Sequence, residues 1–82
     1  MPDDTPPPLS LRRVEPALNM KRFYTLTLQP TLFGEVTLIR HWGRIGTRGQ
    51  NLIETFADQE AAVSAFTRLA RSKRARGYVL PA

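Results

Sequence analysis

The residue types best suited to holding a ligand are concentrated in the segment from His41 to Gln50. This segment contains the only Trp, the only His and three of the five Gly of the 82-residue chain. Trp42 and Arg44 are two residues apart, so both side chains project from one face if they lie in a regular strand. An aromatic ring beside a guanidinium can hold a nucleotide, because the ring stacks on a base or sugar while the guanidinium binds a phosphate. The alternative is structural, with Trp42 in the core and Arg44 in solvent.

Acid–base catalysis finds little support among the other polar residues. The candidates are His41, seven carboxylates and two Tyr, and no two of them have a spacing typical of a catalytic pair. His41 precedes Trp42, so we expect its side chain on the opposite face of the strand. The glycines of the segment follow one strand and lead into another, whereas a phosphate-binding glycine loop leads into a helix. We therefore predict a protein that is not an enzyme and has no small-molecule substrate.

Metal and cofactor binding are also not expected. The chain has no Cys and one His, which rules out a disulfide framework and a cysteine zinc site and leaves no cluster of ligands. The absence of Cys fits a reducing compartment. The sequence contains no signal-peptide pattern and no apolar run of membrane-spanning length. We therefore expect a cytoplasmic protein with no membrane partner.

Size and charge narrow the function further. A chain of 82 residues forms one domain that buries about 60% of the surface of its unfolded chain, so a deep cleft between domains is not available. Twelve Lys and Arg against seven Asp and Glu give a net charge of +5 and a pI near 10.8. Such a balance favours a polyanionic partner, although a basic surface is also a common source of solubility.

The hydropathy pattern predicts an α+β fold, with a small antiparallel sheet and one long C-terminal helix packed across it. Residues 1–8 carry four prolines and two aspartates, which predicts a disordered tail before a single domain at 9–80. Alternating apolar and polar residues predict the strands. These are Leu9–Glu15, Phe23–Leu28, Glu35–Trp42 and Gln50–Phe56. Asp58 is the expected N-cap of the helix, and the helix is expected to end before Gly77.

The loop between the two central strands contains two large apolar residues. Leu32 and Phe33 occupy the loop at 29–34, where we expect them to fold back over the sheet edge; an exposed patch for a partner is the alternative.

The end of the predicted helix carries basic residues. In the last helical turn, Lys73 projects near the apolar stripe of the helix, so its stem is expected to pack on the sheet rim while its ammonium stays in water. Tyr78 directly follows Gly77 and is placed to fold back toward the sheet. The helix dipole alone also accounts for a basic last turn. The stripe consists of Ala62, Val63, Phe66, Leu69 and Ala70, with Arg68, Arg71 and Arg74 on the other side.

These elements together resemble the WGR domain, a family named for Trp-Gly-Arg that occurs in poly(ADP-ribose) polymerases and in bacterial proteins. The run from Trp42 to Gly46, with Gly49 and Gln50, carries the motif. Residues 19–24 resemble the basic and aromatic segment that leads into a strand of the family. Residues 29–35 resemble a loop of bacterial stand-alone members, and residues 73–78 resemble the end of the family's helix. The resemblance covers residues 9–78 and implies the compact sheet and single helix that the pattern predicts.

The resemblance also implies contact with DNA. In the polymerases the motif Trp packs on the sugar of the terminal nucleotide at a 5′ end, and polar and basic neighbours bind phosphates. Trp42 would then be the stacking residue, and Arg44 a phosphate contact or a strut that holds the site. The catalytic domain of the polymerases has no counterpart here, so the resemblance implies no ADP-ribose transfer. The further residues that the resemblance marks as contacts are Asn19, Lys21, Arg22, Lys73 and Tyr78.

Two hypotheses from different classes follow. In the first, the protein is a nucleic-acid-binding module that binds DNA ends or nicks with a 5′ phosphate. Such ends arise in DNA damage. In the second, it is an adaptor that docks a protein partner on an exposed patch of Trp42 and Arg44. A third possibility is a family member that has lost its DNA contact. Salt dependence and a requirement for the 5′ phosphate distinguish DNA binding from the adaptor.

Overall fold

Residues 5–81 are described by a computed structural model of the protein. The four strands form one antiparallel sheet in the order β1-β2-β3-β4, and the helix follows the last strand. The predicted α+β arrangement is therefore confirmed. The elements are β1 (Leu9–Glu15), a short 3-10 turn (Pro16–Leu18), β2 (Met20–Pro30), β3 (Val36–Arg44), β4 (Gln50–Phe56) and α1 (Gln59–Ala75).

The two central strands are longer than the sequence pattern predicts. β2 and β3 pair with each other from Arg22 opposite Arg44 to Pro30 opposite Val36. This ladder satisfies backbone groups beyond the alternating segment, so the strands extend past the residues whose side chains reveal them. As a result β3 continues through Gly43 and includes Arg44, which fixes the direction of the Arg44 side chain relative to Trp42.

One face of the sheet packs on α1 and holds the core. Leu11, Leu26 and Leu38 are fully buried on this face, and burial of each such side chain contributes about 1.5–3 kcal/mol. The opposite face carries no helix, and Ile53 is 62% exposed there. The buried core consists of Leu11, Tyr24, Leu26, Leu28, Val36, Leu38, Ala62, Ala65, Phe66 and Tyr78.

The helix begins and ends as predicted. The Asp58 side chain accepts a hydrogen bond of 2.8 Å from the Ala61 backbone N–H, which confirms the N-cap. At the other end, the Gly77 N–H donates to the Arg74 carbonyl at 3.0 Å, two residues beyond the end of the helix at Ala75. Of the predicted tail, residues 1–4 lie outside the described residues, whereas residues 6–8 line a shallow groove beside Phe66 and Ala70 of the helix.

The hairpin between β2 and β3 corrects one expectation. Leu32 is 96% exposed and Phe33 is 86% exposed, so the expectation that they fold back over the sheet edge is wrong. The Thr31 N–H donates to the Glu35 carbonyl at 2.8 Å, and the Phe33 N–H donates to the Thr31 hydroxyl at 3.2 Å. These bonds close the loop so tightly that the chain has too few residues to turn back onto the sheet.

Candidate nucleic-acid interface

An open cavity of about 480 Å³ lies at the end of the sheet where β3 finishes. It brings together residues from the start of β2, the end of β3, the last turn of α1 and the segment after the helix. Five of the seven residues that the sequence marks as candidate contacts line it. We call it the first cavity; its lining residues are Arg22, Phe23, Trp42, Gly43, Arg44, Lys73 and Tyr78.

The strand register places two arginines side by side in this cavity. Arg22 lies directly opposite Arg44, and Tyr24 lies opposite Trp42. Residues that face each other across an antiparallel pair project from the same side of the sheet, so all four side chains share one face. Like charges in such a pair repel each other, and a bound anion removes that repulsion.

Arg44 is held in place by Asn19. Its Nη1 donates to the Asn19 carbonyl at 3.2 Å, and its Nη2 donates to the Asn19 side-chain oxygen at 3.3 Å. Asn19 follows the 3-10 turn and is not among the residues that line the first cavity. Asn19 therefore positions the guanidinium, and the remaining N–H groups of Arg44 stay available for a ligand.

Lys21 does not join this group. It lies one residue before Arg22 and pairs with Val14, so its side chain projects from the face that α1 leaves uncovered. Its backbone nevertheless supports the site, because the Lys21 carbonyl accepts a hydrogen bond of 2.9 Å from the Ile45 N–H. Two adjacent cations in a strand cannot both face one cavity.

Trp42 combines the two interpretations that the sequence leaves open. Its side chain is half-buried and packs against the core, and it also lines the first cavity. His41 projects to the opposite face, as expected, and its ring packs edge-on against Phe23 with 5.0 Å between centroids. A ring that packs against the core and also lines a cavity is suited to stacking, because it is already ordered before a ligand arrives.

Lys73 lies over two tyrosine rings at the wall of the cavity. Its Nζ is 4.6 Å from the ring centroid of Tyr24 and 5.4 Å from that of Tyr78, which is within cation–π range. Partial burial lowers the pKa of Lys73 from 10.5, and the charges of Arg76, Arg22 and Arg40 lower it further. The ammonium is therefore less solvated than expected and lies in a strongly positive environment.

The glycines of the motif allow the following turn to pack against the end of β3. A Cβ on Gly49 would lie 2.3 Å from the Trp42 carbonyl oxygen, and a Cβ on Gly43 would lie 2.6 Å from the Gly49 Cα. Neither distance is possible for a real side chain, so both positions require glycine. This close approach packs the turn against the backbone of Trp42.

A second cavity of about 300 Å³ adjoins the first and shares Trp42 and Lys73 with it. Sequence reasoning missed two of its cations, Arg40 and Arg76. Strand alternation places Arg40 on the same face as Trp42 and Arg44, and this pattern in the sequence could have identified it. The lining residues of the second cavity are Tyr24, Arg40, Trp42, Leu69, Ser72, Lys73 and Arg76.

Comparison with known proteins places this architecture in a family. A family profile described as the WGR domain matches residues 8–81. Over 70 residues the chain is 47% identical to a Sinorhizobium fredii protein named "Uncharacterized protein y4dW", an alignment that covers 85% of this chain and 34% of that protein. Over 38 residues it is 45% identical to Protein YehF of Escherichia coli, covering 46% of this chain and 14% of that protein. No solved structure matches the chain.

Both relatives are longer than this chain. The chain spans about a third of the length of the S. fredii relative and a smaller share of the E. coli relative. Within residues 5–81, no helix has the length and apolar character needed to cross a membrane. Because the family profile matches nearly the whole sequence, the chain belongs to the WGR domain family.

Proposed function

We propose that this domain is a non-catalytic module that binds DNA ends or nicks and recognises a 5′ phosphate. Membership of the WGR family is consistent with nucleic-acid binding. One observation carries the proposal: the open ring of Trp42 lies among Arg22, Arg44 and Lys73, and no carboxylate is among the residues found to line this cavity. A stacking surface surrounded by unopposed cations matches a sugar with its phosphate.

Each residue has a distinct role in this proposal. Trp42 stacks on the sugar or base of the terminal nucleotide. Arg22 and Arg44 bind phosphate oxygens, and the two bonds from Asn19 hold the Arg44 guanidinium ready. Tyr78 is almost fully buried and supports Lys73 from below, so Lys73 approaches the phosphate as a point charge.

The proposal predicts how binding depends on the ligand. Contacts to sugar and phosphate carry no base information, so affinity changes little with sequence. Each neutralised phosphate releases counterions, so the logarithm of the affinity falls with the logarithm of salt concentration with a slope of about 0.9 per phosphate. A nucleic-acid module shows this slope and a preference for a 5′ phosphate, whereas a protein adaptor shows neither.

Fluorescence anisotropy with labelled duplexes tests the proposal. The ligands are a duplex with a 5′ phosphate, the same duplex with a 5′ hydroxyl, and a closed dumbbell that has no end. The proteins are the wild type, Arg44→Gln and the matched control Arg68→Gln, whose side chain is exposed on the far side of α1. We expect the tightest binding to the phosphorylated end, a several-fold loss with Arg44→Gln and none with Arg68→Gln. Absence of binding at low salt, or equal losses in the two variants, contradicts the proposal.

A further inference from the structure

We propose that the second cavity is a second phosphate subsite, so that the domain holds two phosphates of one strand on the two sides of Trp42. This inference rests on the proposed function and names its substrate class: a strand that carries a 5′ phosphate and at least one further phosphodiester. Arg40, Trp42 and Arg44 alternate along β3 on one face of the sheet. The second cavity contains Arg40 and the first contains Arg44, and Trp42 borders both of them.

The helix completes the second cavity by its periodicity. Leu69, Ser72, Lys73 and Arg76 line it, and their spacing of three, four and seven residues places them on one helical face. Arg68, in contrast, is exposed on another face of the helix. The cations of the subsite thus come from both the strand and the helix, with Trp42 between the two subsites.

One buried donor in this cavity lacks an acceptor. Arg40 forms an ion pair with Glu54 through Nη2, but its Nε is buried without a hydrogen-bond partner among the described residues. The buried Tyr24 hydroxyl lies next to the Arg40 guanidinium: burial raises the Tyr24 pKa, and the charge and hydrogen-bonding contact of Arg40 lower it. Buried polar groups in native proteins are nearly always paired, so the Arg40 Nε beside this cavity calls for an acceptor. A fully ionised phosphate supplies several acceptor oxygens and no donor, which suits a guanidinium with an unpaired N–H.

The charge balance supports the same assignment. Lys73 borders both cavities, and its neighbours Arg22, Arg40 and Arg76 all lower its pKa. Arg22 lines the first cavity, whereas Arg40 and Arg76 line the second. Glu54 opposes only Arg40, and no carboxylate appears among the residues that line either cavity. One phosphate in the first cavity leaves Arg76 of the second cavity without a counter-charge, while a second phosphate offsets it.

Two phosphates bound on opposite sides of one ring also fix the direction of the strand. A mononucleotide or inorganic phosphate can occupy only one subsite at a time. A strand that continues from its terminal nucleotide occupies both and stacks on Trp42 between them. The domain therefore distinguishes a phosphorylated strand end from a free phosphate by the number of cavities that the ligand fills.

Neutral linkages at defined positions test this inference. Single methylphosphonates at the first, second or third linkage from the 5′ phosphate each remove one negative charge from a labelled duplex. Binding is measured for the wild type, Arg76→Gln and the control Arg68→Gln. Arg76 is exposed just beyond the last residue of α1, so its replacement is expected to leave the fold intact, which thermal unfolding by circular dichroism checks.

We expect Arg76→Gln to weaken binding several-fold and to reduce the salt slope by about one, whereas Arg68→Gln changes neither. One of the first two methylphosphonates weakens binding by the wild type and has no further effect on Arg76→Gln. Equal behaviour of the two variants, or the same methylphosphonate loss in the wild type and Arg76→Gln, overturns the second subsite. If Arg44→Gln still weakens end binding in that case, the proposed function stands. If the wild type binds no duplex, both are wrong.

Discussion

Lys73 is the residue whose surroundings differ most from those of a solvated lysine. Its ammonium lies 4.6 Å from the Tyr24 ring centroid, close to three arginines that lower its pKa. Tyr24 responds in the opposite direction: burial raises the pKa of its phenol, and the nearby Arg40 charge offsets part of that rise. The pKa values of both groups therefore depend on nearby charges, and an anion bound beside Lys73 changes the Lys73 pKa.

The pKa of Lys73 is predicted to rise when a phosphorylated duplex binds. In the free protein, burial and the neighbouring cations disfavour the charged form, so the pKa of the Lys73 amine lies below its ordinary value. A phosphate favours the charged form, and by linkage the affinity is retained at low pH and falls as pH rises through the free-protein pKa of Lys73. NMR titration of the Lys73 side chain with and without the duplex measures the shift. An unchanged or lowered pKa in the complex contradicts a phosphate at this position.

At the scale of elements, the turn between β3 and β4 packs against the backbone of Trp42. Gly49 has a φ of +71° and lies against the Trp42 backbone, whereas Gly46 has a φ of +93° and no atom within 4 Å of the point where a Cβ would lie. Substitutions at the two glycines therefore distinguish the backbone penalty of a positive φ from the steric penalty of an added Cβ. Both substitutions meet the backbone penalty of a positive φ, and only one of them also meets a steric clash.

Gly49→Ala is predicted to destabilise the domain more than Gly46→Ala. Gly46→Ala incurs only the backbone penalty of about 1 kcal/mol. Gly49→Ala adds a Cβ that would lie 2.3 Å from the Trp42 carbonyl oxygen, so the turn must shift and we expect a total loss of about 2–4 kcal/mol. Urea unfolding of the two variants gives the comparison. Equal losses would show that the turn does not pack closely against Trp42.

The β2–β3 hairpin tip is an element whose apolar residues contribute nothing to the core. Leu32→Ser and Phe33→Ser are each predicted to change the free energy of unfolding by less than about 0.5 kcal/mol, because both side chains are almost fully exposed. Leu38→Ala, at a fully buried position, is the contrasting variant and should cost about 2–5 kcal/mol. Thermal or urea unfolding measures all three. A large loss in either serine variant would mean that the tip packs on the sheet.

At the scale of the whole molecule, charge is separated along the sheet. Every Lys and Arg falls within residues 12–22, 40–48 or 68–76, and most of these residues lie toward the end of the sheet that holds Trp42. Glu35, Asp58 and Glu60 lie at the opposite end, near the β2–β3 loop and the start of α1. Glu15 is the exception at the basic end, where it forms an ion pair with Arg13. This separation orients the molecule as it approaches a polyanion and raises the association rate at low salt.

The sequence was sufficient to predict most of this architecture, because alternation and capping act locally. β1 and β4 have their predicted bounds, and the Asp58 cap is in place. The same alternation brings Trp42 and Arg44 to one face, and it also shows why Lys21 cannot join Arg22 there. Strand alternation therefore predicts which face of the sheet each residue of a strand occupies.

Two features depended on information that a local pattern does not contain. The exposure of Leu32 depends on how tightly the hairpin loop closes, and hydropathy alone does not report this. The roles of Arg40 and Arg76 depend on where α1 crosses the sheet, because only that crossing brings the two side chains to one cavity. Periodicity shows which face of the helix is apolar but not the position at which it docks.

The most direct test of DNA-end binding uses Trp42 itself. Trp42 is the only tryptophan, so selectively excited tryptophan fluorescence reports on this residue alone. The protein is titrated with a short duplex carrying a 5′ phosphate, with the 5′-hydroxyl duplex and with the closed dumbbell. We predict saturable quenching by the phosphorylated end, weaker quenching by the hydroxyl end and little change with the dumbbell, because stacking requires a free terminal nucleotide. If the three ligands change Trp42 emission equally, or bind without changing it, the central claim is contradicted.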